Sequence, residues 1–316
     1  MAFAAPKENY SGKVYEVTIG TDLQAVFGGE NVLPFHAFEG VVPRRPLIAY
    51  EIQDIFPDDW PEAVGSVYKE VSKDPAAWAR FCQEELKAKA IALRLIGTHP
   101  DREDRSPAEA AKTVKDVLAA IKVPLIILGS NNVEKDGPVL IAAAVASKDR
   151  NCIIGKAQEA NYKTITAAAM ANNHKLIAMS ELDVNLAKQL NILITQMGFD
   201  KEKIITDPMC SALGYGLEYT YSVSERIRLA ALAQNDAVVQ QPMLGDVGMH
   251  TWKVKETSAP ESDIPVWGPE KERGIAWEVV TAVTALLSGA ELLIMRHPES
   301  VRVVEKFVDE FCGREI

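Results

Sequence analysis

Asp207, Lys156 and Cys210 are the side chains of this sequence best suited to acid–base or covalent chemistry. Asp207 stands before Pro208 at the close of an apolar run, where a carboxylate can accept hydrogen bonds from a ring N–H or cap a loop amide. Lys156 can form a Schiff base if desolvated, but an ion pair is the expected state. Cys210 has no histidine near it in sequence and reads as a small buried thiol. Around these groups the ends of the apolar runs carry the amides Asn131, Asn132, Gln240 and Gln241, together with Arg94, Met209 and Arg296. Amides donate and accept at once, so this set suits a neutral heterocycle or a carboxamide-rimmed cofactor better than a phosphosugar. The set is poor in acid/base pairs, and no catalytic residue is expected from it. His174 opens an apolar run and reads as structural, while His250 and His297 belong to no H-x-H or H-E-x-x-H metal spacing.

The elements that must position these residues repeat eight times. The strands read as Leu47–Ile55, Ala90–Gly97, Pro124–Ser130, Asn151–Ala157, His174–Glu181, Lys203–Met209, Ala237–Leu244 and Leu292–His297, each followed by an Ala-rich helical stretch. Apolar runs with little alternation fit parallel strands buried on both faces. The cycle predicts a (β/α)8 TIM barrel, whose binding and chemistry sit on the loops after the strands. Asp74-Pro75, Ser106-Pro107-Ala108-Glu109 and Asp136-Gly137-Pro138 read as helix starts, as does Ser180 with Asp183. Leu182, Leu186, Leu190 and Ile194 mark a helix face packed on the barrel.

Residues 1–46 stand outside the repeat as an N-terminal extension, and residues 47–316 form the barrel as a single domain overall. Tyr15, Val17 and Ile19, the turn Gly20-Thr21-Asp22 and the return Ala25–Phe27 predict a β-hairpin that closes the bottom of the barrel. After the seventh strand comes a long insertion, Gly245–Gly274, with Trp252 and Trp267 in it. Its aromatics read either as a contact surface for a partner or cofactor, or as a lid packed on its own barrel.

A net charge of −10 argues against a nucleic-acid surface. The four cysteines, Cys82, Cys152, Cys210 and Cys312, are scattered without a C-x-x-C pair, which argues against a cluster or zinc held by this chain and fits a reducing cytoplasm. No stretch approaches the ~20 apolar residues of a membrane span, so a cytoplasmic protein is expected.

Taken whole, the chain resembles the small subunit of the corrinoid iron–sulfur protein of the acetyl-CoA pathway, the counterpart of the acetyl-CoA decarbonylase/synthase delta subunit. The resemblance runs from Val14–Ile19 through Leu47-Ile48-Ala49-Tyr50-Glu51 and Ile204-Ile205-Thr206-Asp207-Pro208 to Val238-Val239-Gln240-Gln241-Pro242. It implies a heterodimer with a large subunit that carries a [4Fe–4S] cluster and shares the corrinoid, cobalamin. This chain would then cover the cobalamin, while methyl groups arrive from methyltetrahydrofolate through a methyltransferase and leave to acetyl-CoA synthase. Both of those proteins would be transient partners. Gly129-Ser130-Asn131 and Thr206-Asp207-Pro208 also resemble the strand-three Asn and strand-six Asp-Pro of pterin-binding methyltransferases. In that alternative Asn131 and Asp207 would bind the pterin and the chain would be the methyltransferase itself.

Overall fold

A computed structural model describes residues 6–313. Two short antiparallel strands, β1 (Glu16–Ile19) and β2 (Ala25–Gly28), form the N-terminal hairpin. Eight parallel strands then close a barrel: β3 (Leu47–Gln53), β4 (Ile91–Arg94), β5 (Leu125–Leu128), β6 (Ile153–Ala157), β7 (Lys175–Met179), β8 (Ile204–Asp207), β9 (Met243–Gly245) and β10 (Ala290–Met295). The last pairs with the first, Leu292 opposite Leu47, and helices intervene between successive strands as the repeat predicts. No helix among the described residues is long and apolar enough to cross a membrane.

Period-two alternation sorts the strand residues. Leu47 and Ala49, Ala90 and Ala92, Ile126 and Leu128, then Ile153, Ile177, Ile205, Leu244, Leu292 and Ile294 point inward and form one buried cluster. Val17, Ile19 and Phe27 of the hairpin belong to that cluster and are essentially inaccessible. The hairpin therefore plugs the end of the barrel at which the strands start. The outward residues pack under the helices in a second cluster that includes Trp78, Tyr68, Leu140 and Ile194.

Local punctuation differs from the sequence reading in three places. Ser106 and Glu109 form the expected reciprocal capping box. The next helix, Val133–Ala146, starts at Asn132, whose side chain accepts from Lys135 N at 3.0 Å, so Asp136-Gly137-Pro138 lies inside its first turns. The helix Val184–Gln196 is capped by Asp183, which accepts from Asn185 N and Leu186 N, with no cap bond from Ser180. Its Leu190 and Ile194 are buried as the stripe predicts, whereas Leu182 and Leu186 remain partly accessible.

The third difference moves residues across the molecule. The seventh strand was expected over Ala237–Leu244, yet β9 begins only at Met243. Asp236 accepts from Val238 N with its side chain at 3.0 Å and its main-chain O accepts from Val239 N, bending this run into a turn. Pro242 then has no N–H for a ladder. Gln240 and Gln241 consequently precede the strand and lie at the hairpin end, where Gln240 O accepts from Tyr15 N at 2.8 Å.

The plug has a direct consequence for stability. Phe27→Ala is expected to cost about 3–5 kcal/mol in chemical denaturation, as for a large buried aromatic elsewhere.

Candidate functional site: the barrel mouth

One step beyond the apolar interior, the same inward alternation delivers charge. Glu51 follows Leu47 and Ala49, Arg94 follows Ala90 and Ala92, Asp207 follows Ile205, Asp246 follows Leu244, and Arg296 follows Leu292 and Ile294. Lys156 joins this layer where the β6 to β7 register shifts between Ile154 and Ala157. That shift needs Gly155, since a Cβ there would come within 2.6 Å of Ile177 Cβ. All six side chains are at most 5 % exposed.

They pair in an alternating chain. Arg296 Nη2 meets Glu51 at 2.8 Å, Glu51 meets Arg94 Nε at 3.1 Å, and Arg94 Nη2 meets Asp246 at 2.8 Å. Lys156 Nζ then bridges Asp246 at 2.7 Å and Asp207 at 2.8 Å. Three carboxylates and three cations leave this layer formally neutral. A buried charge is tolerated only when it is paired and hydrogen-bonded, and each member here has an opposite charge within reach.

Protonation follows from the pairing. Burial works against the Lys156 ammonium, but Asp207 and Asp246 overcome it and raise its pKa. Burial likewise opposes the Arg94 charge, and Asp246 with Glu51 raises its pKa. Asp246 and Glu51 pay for desolvation yet are held below the usual carboxylate range, Asp246 by Arg94 and Lys156, Glu51 by Arg296 and Arg94. Lys156 is therefore no free amine nucleophile, and the expected ion pair replaces the Schiff-base reading. Cys210 is buried, and desolvation raises its thiol pKa, so it is an inert core group.

The surroundings hold this layer rigidly. Glu278 accepts from Arg296 N at 2.7 Å and His297 N at 3.1 Å, Tyr68 donates to Arg296 O, and the Arg296 guanidinium lies 4.3 Å from the Trp60 ring centroid. Asp136, inside its helix, turns back to accept from Ser130 N at 2.7 Å, Ser130 Oγ at 2.9 Å and Asn131 N at 3.0 Å. Gly129 makes room for it, because a Cβ there would sit 2.3 Å from the Asp136 carboxyl carbon.

Above the charged layer opens a cleft of about 480 Å³ lined by Met209, Ala212, Tyr215, His250, Lys253 and Val254, among others. Asn131 is exposed at the mouth, with Nδ2 3.3 Å from Met249 Sδ. The long insertion supplies much of this rim. Its short helix Val247–Thr251 carries His250. Trp252 is a core residue at 2 % exposure, against His297 at a centroid distance of 6.0 Å. Trp267 is 49 % exposed beside Trp277, so the two tryptophans divide between the lid and surface readings.

Of the residues singled out from sequence, Arg94, Lys156, Asp207 and Arg296 converge in the charged layer, and Met209 and Asn131 reach the rim. Asn132 is a helix cap. Gln240 and Gln241 are at the other end of the barrel, Gln240 Nε2 donating to Ala231 O and Asn235 Oδ1. The mouth is thus lined by paired charges rather than by amides. Glu51, Asp246 and His250 were not among the expected site residues. Counting by two from Leu47 and Leu244 would have found the first two.

Removing one partner from this layer is expected to be costly. Lys156→Met, which strands Asp207, should destabilise the fold by about 3–5 kcal/mol in denaturation, and Lys156→Met with Asp207→Asn should recover much of that loss. Burial lowers the pKa of His250 and of His297 to about 4 and raises that of Asp54 to about 6. Unfolded histidines take up protons near 6.5, so these two groups cost stability as pH falls from ~6.5 to ~4. Asp54 acts oppositely, since the folded state takes its proton first as pH falls through 6. NMR midpoints near 4 for the two imidazoles and near 6 for the Asp54 carboxyl check these assignments.

Comparison with known proteins gives the family and the fold. Residues 16–308 match the family model described as CO dehydrogenase/acetyl-CoA synthase delta subunit. A delta subunit of the acetyl-CoA decarbonylase/synthase complex from Methanothermobacter thermautotrophicus is 36% identical over 312 residues, covering 98% of this chain and 78% of the relative. Its counterpart from Methanocaldococcus jannaschii is 34% identical over 311 residues, covering 95% and 75%. Among solved structures, dihydropteroate synthases from Vibrio fischeri and Xanthomonas albilineans superpose with TM-scores of 0.58 and 0.56 at 10% and 13% identity. The former covers 91% of this chain and 99% of its own, the latter 85% and 93%. Those two share the barrel fold alone, whereas the family match spans nearly the whole sequence: the chain belongs to the CO dehydrogenase/acetyl-CoA synthase delta subunit family.

Proposed function

We propose that this chain is the cover of a shared corrinoid, the small subunit of a heterodimeric methyl carrier in the acetyl-CoA pathway. The observation that carries the reading is the self-paired charged layer. It ties up the ammonium, guanidinium and carboxylate groups at the strand ends as ion pairs, while a partly apolar cleft lies at the same end of the barrel.

The donor set fits a corrinoid. Lys253 lines the cleft as a donor, corrin side-chain amides bring carbonyl acceptors, and Arg94 Nη1 and Arg296 Nε, without acceptors among the described residues, lie buried in the layer beneath. Asn131 can both donate and accept at the rim, and Met209 and Val254 offer apolar contact. These residues would hold the group, which when bound supplies the cobalt centre that carries the methyl. The chain's own part is environmental: to exclude water from that centre and to orient the macrocycle. The large corrinoid/iron–sulfur subunit would hold the other face and the cluster, with a methyltransferase and acetyl-CoA synthase as transient partners.

The pterin-binding alternative turns on Asp207. Its Oδ1 already accepts from Met209 N at 2.9 Å and its Oδ2 faces Lys156. Both oxygens keep lone pairs for a ring N–H, and Oδ2 has no hydrogen bond besides the Lys156 ion pair, but the carboxylate is fully buried in the charged layer.

Coexpression with the large subunit is expected to yield a stable complex with a corrinoid visible spectrum, while the chain alone binds cobalamin weakly. Tight methyltetrahydrofolate binding by the isolated chain, with turnover to free cobalamin, would overturn the reading in favour of a methyltransferase. Asn131→Ala should weaken corrinoid retention by the complex by up to about tenfold, the worth of one hydrogen bond, with the fold unchanged.

A further inference from the structure

Glu30 leaves the hairpin just after β2, at the end of the barrel where the strands start, and is 3 % exposed. Eight carboxyl side chains are buried among the described residues, Glu30 one of them. The other seven, Glu51, Asp54, Asp136, Asp207, Asp246, Glu278 and Glu291, each take a hydrogen bond or an ion pair from another residue. Glu30 takes neither, and the one donor near its carboxyl is its own main-chain N–H. A buried carboxylate in that condition needs a counter-charge from somewhere.

The cations around it are committed elsewhere. Arg228 Nη2 donates to both oxygens of Glu291 at 2.7 Å, while its Nη1 donates to Gln241 O at 3.0 Å and its Nε to Gly289 O at 3.3 Å. Arg44 Nε pairs with Glu16 at 2.9 Å, and Lys13 Nζ meets the same carboxylate at 3.4 Å. Glu30, Arg228 and Glu291 therefore keep one net negative charge when both acids are ionised. Glu30 lines a void of about 20 Å³, room for one water-sized occupant, together with Glu291 and Arg44 and the walls Pro34, Pro46 and Phe311. Neither Glu30 oxygen is among the fully enclosed atoms that lack a partner, so both border open space, and the void is the space this residue lines.

We propose that this void binds one monovalent cation of the size of Na⁺ or K⁺, held between Glu30 and Glu291, which fastens the N-terminal extension to the start of β10. The charge decides the class. A water could hydrogen-bond to Glu30 but would leave the net charge in place, whereas one monovalent cation cancels it. A divalent ion would overcharge the cluster, and it demands six or more oxygen ligands or retained waters for which a single-occupant void has no room. Glu291 can share in the site, since Arg228 and Met243 N take three of the about four acceptor positions of its carboxylate. Burial raises the Glu30 pKa, so a proton competes with the cation as pH falls. The site is at the opposite end of the barrel from the mouth, and its success or failure is separate from that of the corrinoid reading.

The test is chemical denaturation of the full chain at about pH 8 in NaCl, KCl or choline chloride at equal ionic strength, choline being too large for the void. Above half-saturation the unfolding constant should fall about tenfold for each tenfold rise in Na⁺ or K⁺. Amide exchange at Val17, Ile19 and Phe27 should slow in the same ion. The preference over choline should shrink at about pH 5, where a proton takes the cation's place. Glu30→Gln, isosteric and uncharged, should lose the distinction between the salts. Arg44→Met, a change at a half-exposed side chain, removes a rival cation from the rim and should move half-saturation to lower concentration. Equal stability of the wild-type chain in all three salts, a distinction between salts that survives in Glu30→Gln, or weaker ion dependence in Arg44→Met would overturn the proposal. Dependence on pH with none on the cation would overturn it too, leaving a proton as the partner of Glu30.

Discussion

The requirement that a buried charge find a partner organises the functional end of this barrel. Six ionised side chains enter a space shielded from solvent, and they are tolerable there because acid and base alternate from Arg296 through Glu51, Arg94, Asp246 and Lys156 to Asp207. The pairing also sets the chemistry. An ammonium held between two carboxylates keeps its proton, and a carboxylate held by a guanidinium keeps its charge, so neither is poised near neutrality as a general acid or base. The layer itself is therefore chemically quiet, a property that fits the proposed role of a wall around a reactive group supplied from elsewhere.

The two ends of the barrel solve the same closure problem with different materials. At the end where strands begin, Val17, Ile19 and Phe27 of the hairpin complete an apolar cluster. At the other, the apolar filling stops at Leu128, Ile205 and Ile294, and the charged layer takes over. Polar supports pin the backbone around it: Glu278, from the preceding helix, holds Arg296 N and His297 N after β10, and Asp136 holds the loop that carries Asn131. The rim can then remain an open cleft without loosening the layer below it.

Much of this was legible because strand periodicity is a local property. The eight apolar runs, the hairpin, the capping box at Ser106, and the placement of Arg94, Lys156, Asp207 and Arg296 at strand ends all follow from residue types at short spacing. Gln240 and Gln241 were misplaced for an equally physical reason. The run Ala237–Val239 has strand composition, but the Asp236 side chain bends it into a turn and Pro242 delays the ladder, which moves both amides to the far end. Asn132 had the composition of a ligand residue and proved to be a helix cap.

The sequence by itself determined the barrel, its repeat and the list of residues delivered near its mouth, because burial on two faces demands apolar runs of the right length. Only the tertiary structure decided what those residues do there. Glu51 and Asp246 are separated by most of the chain, yet both reach Arg94, and that closure converts a list of separate strand ends into one neutral chain of ion pairs. Pairing depends on distances across the barrel between residues remote in sequence, and local spacing carries no record of those distances.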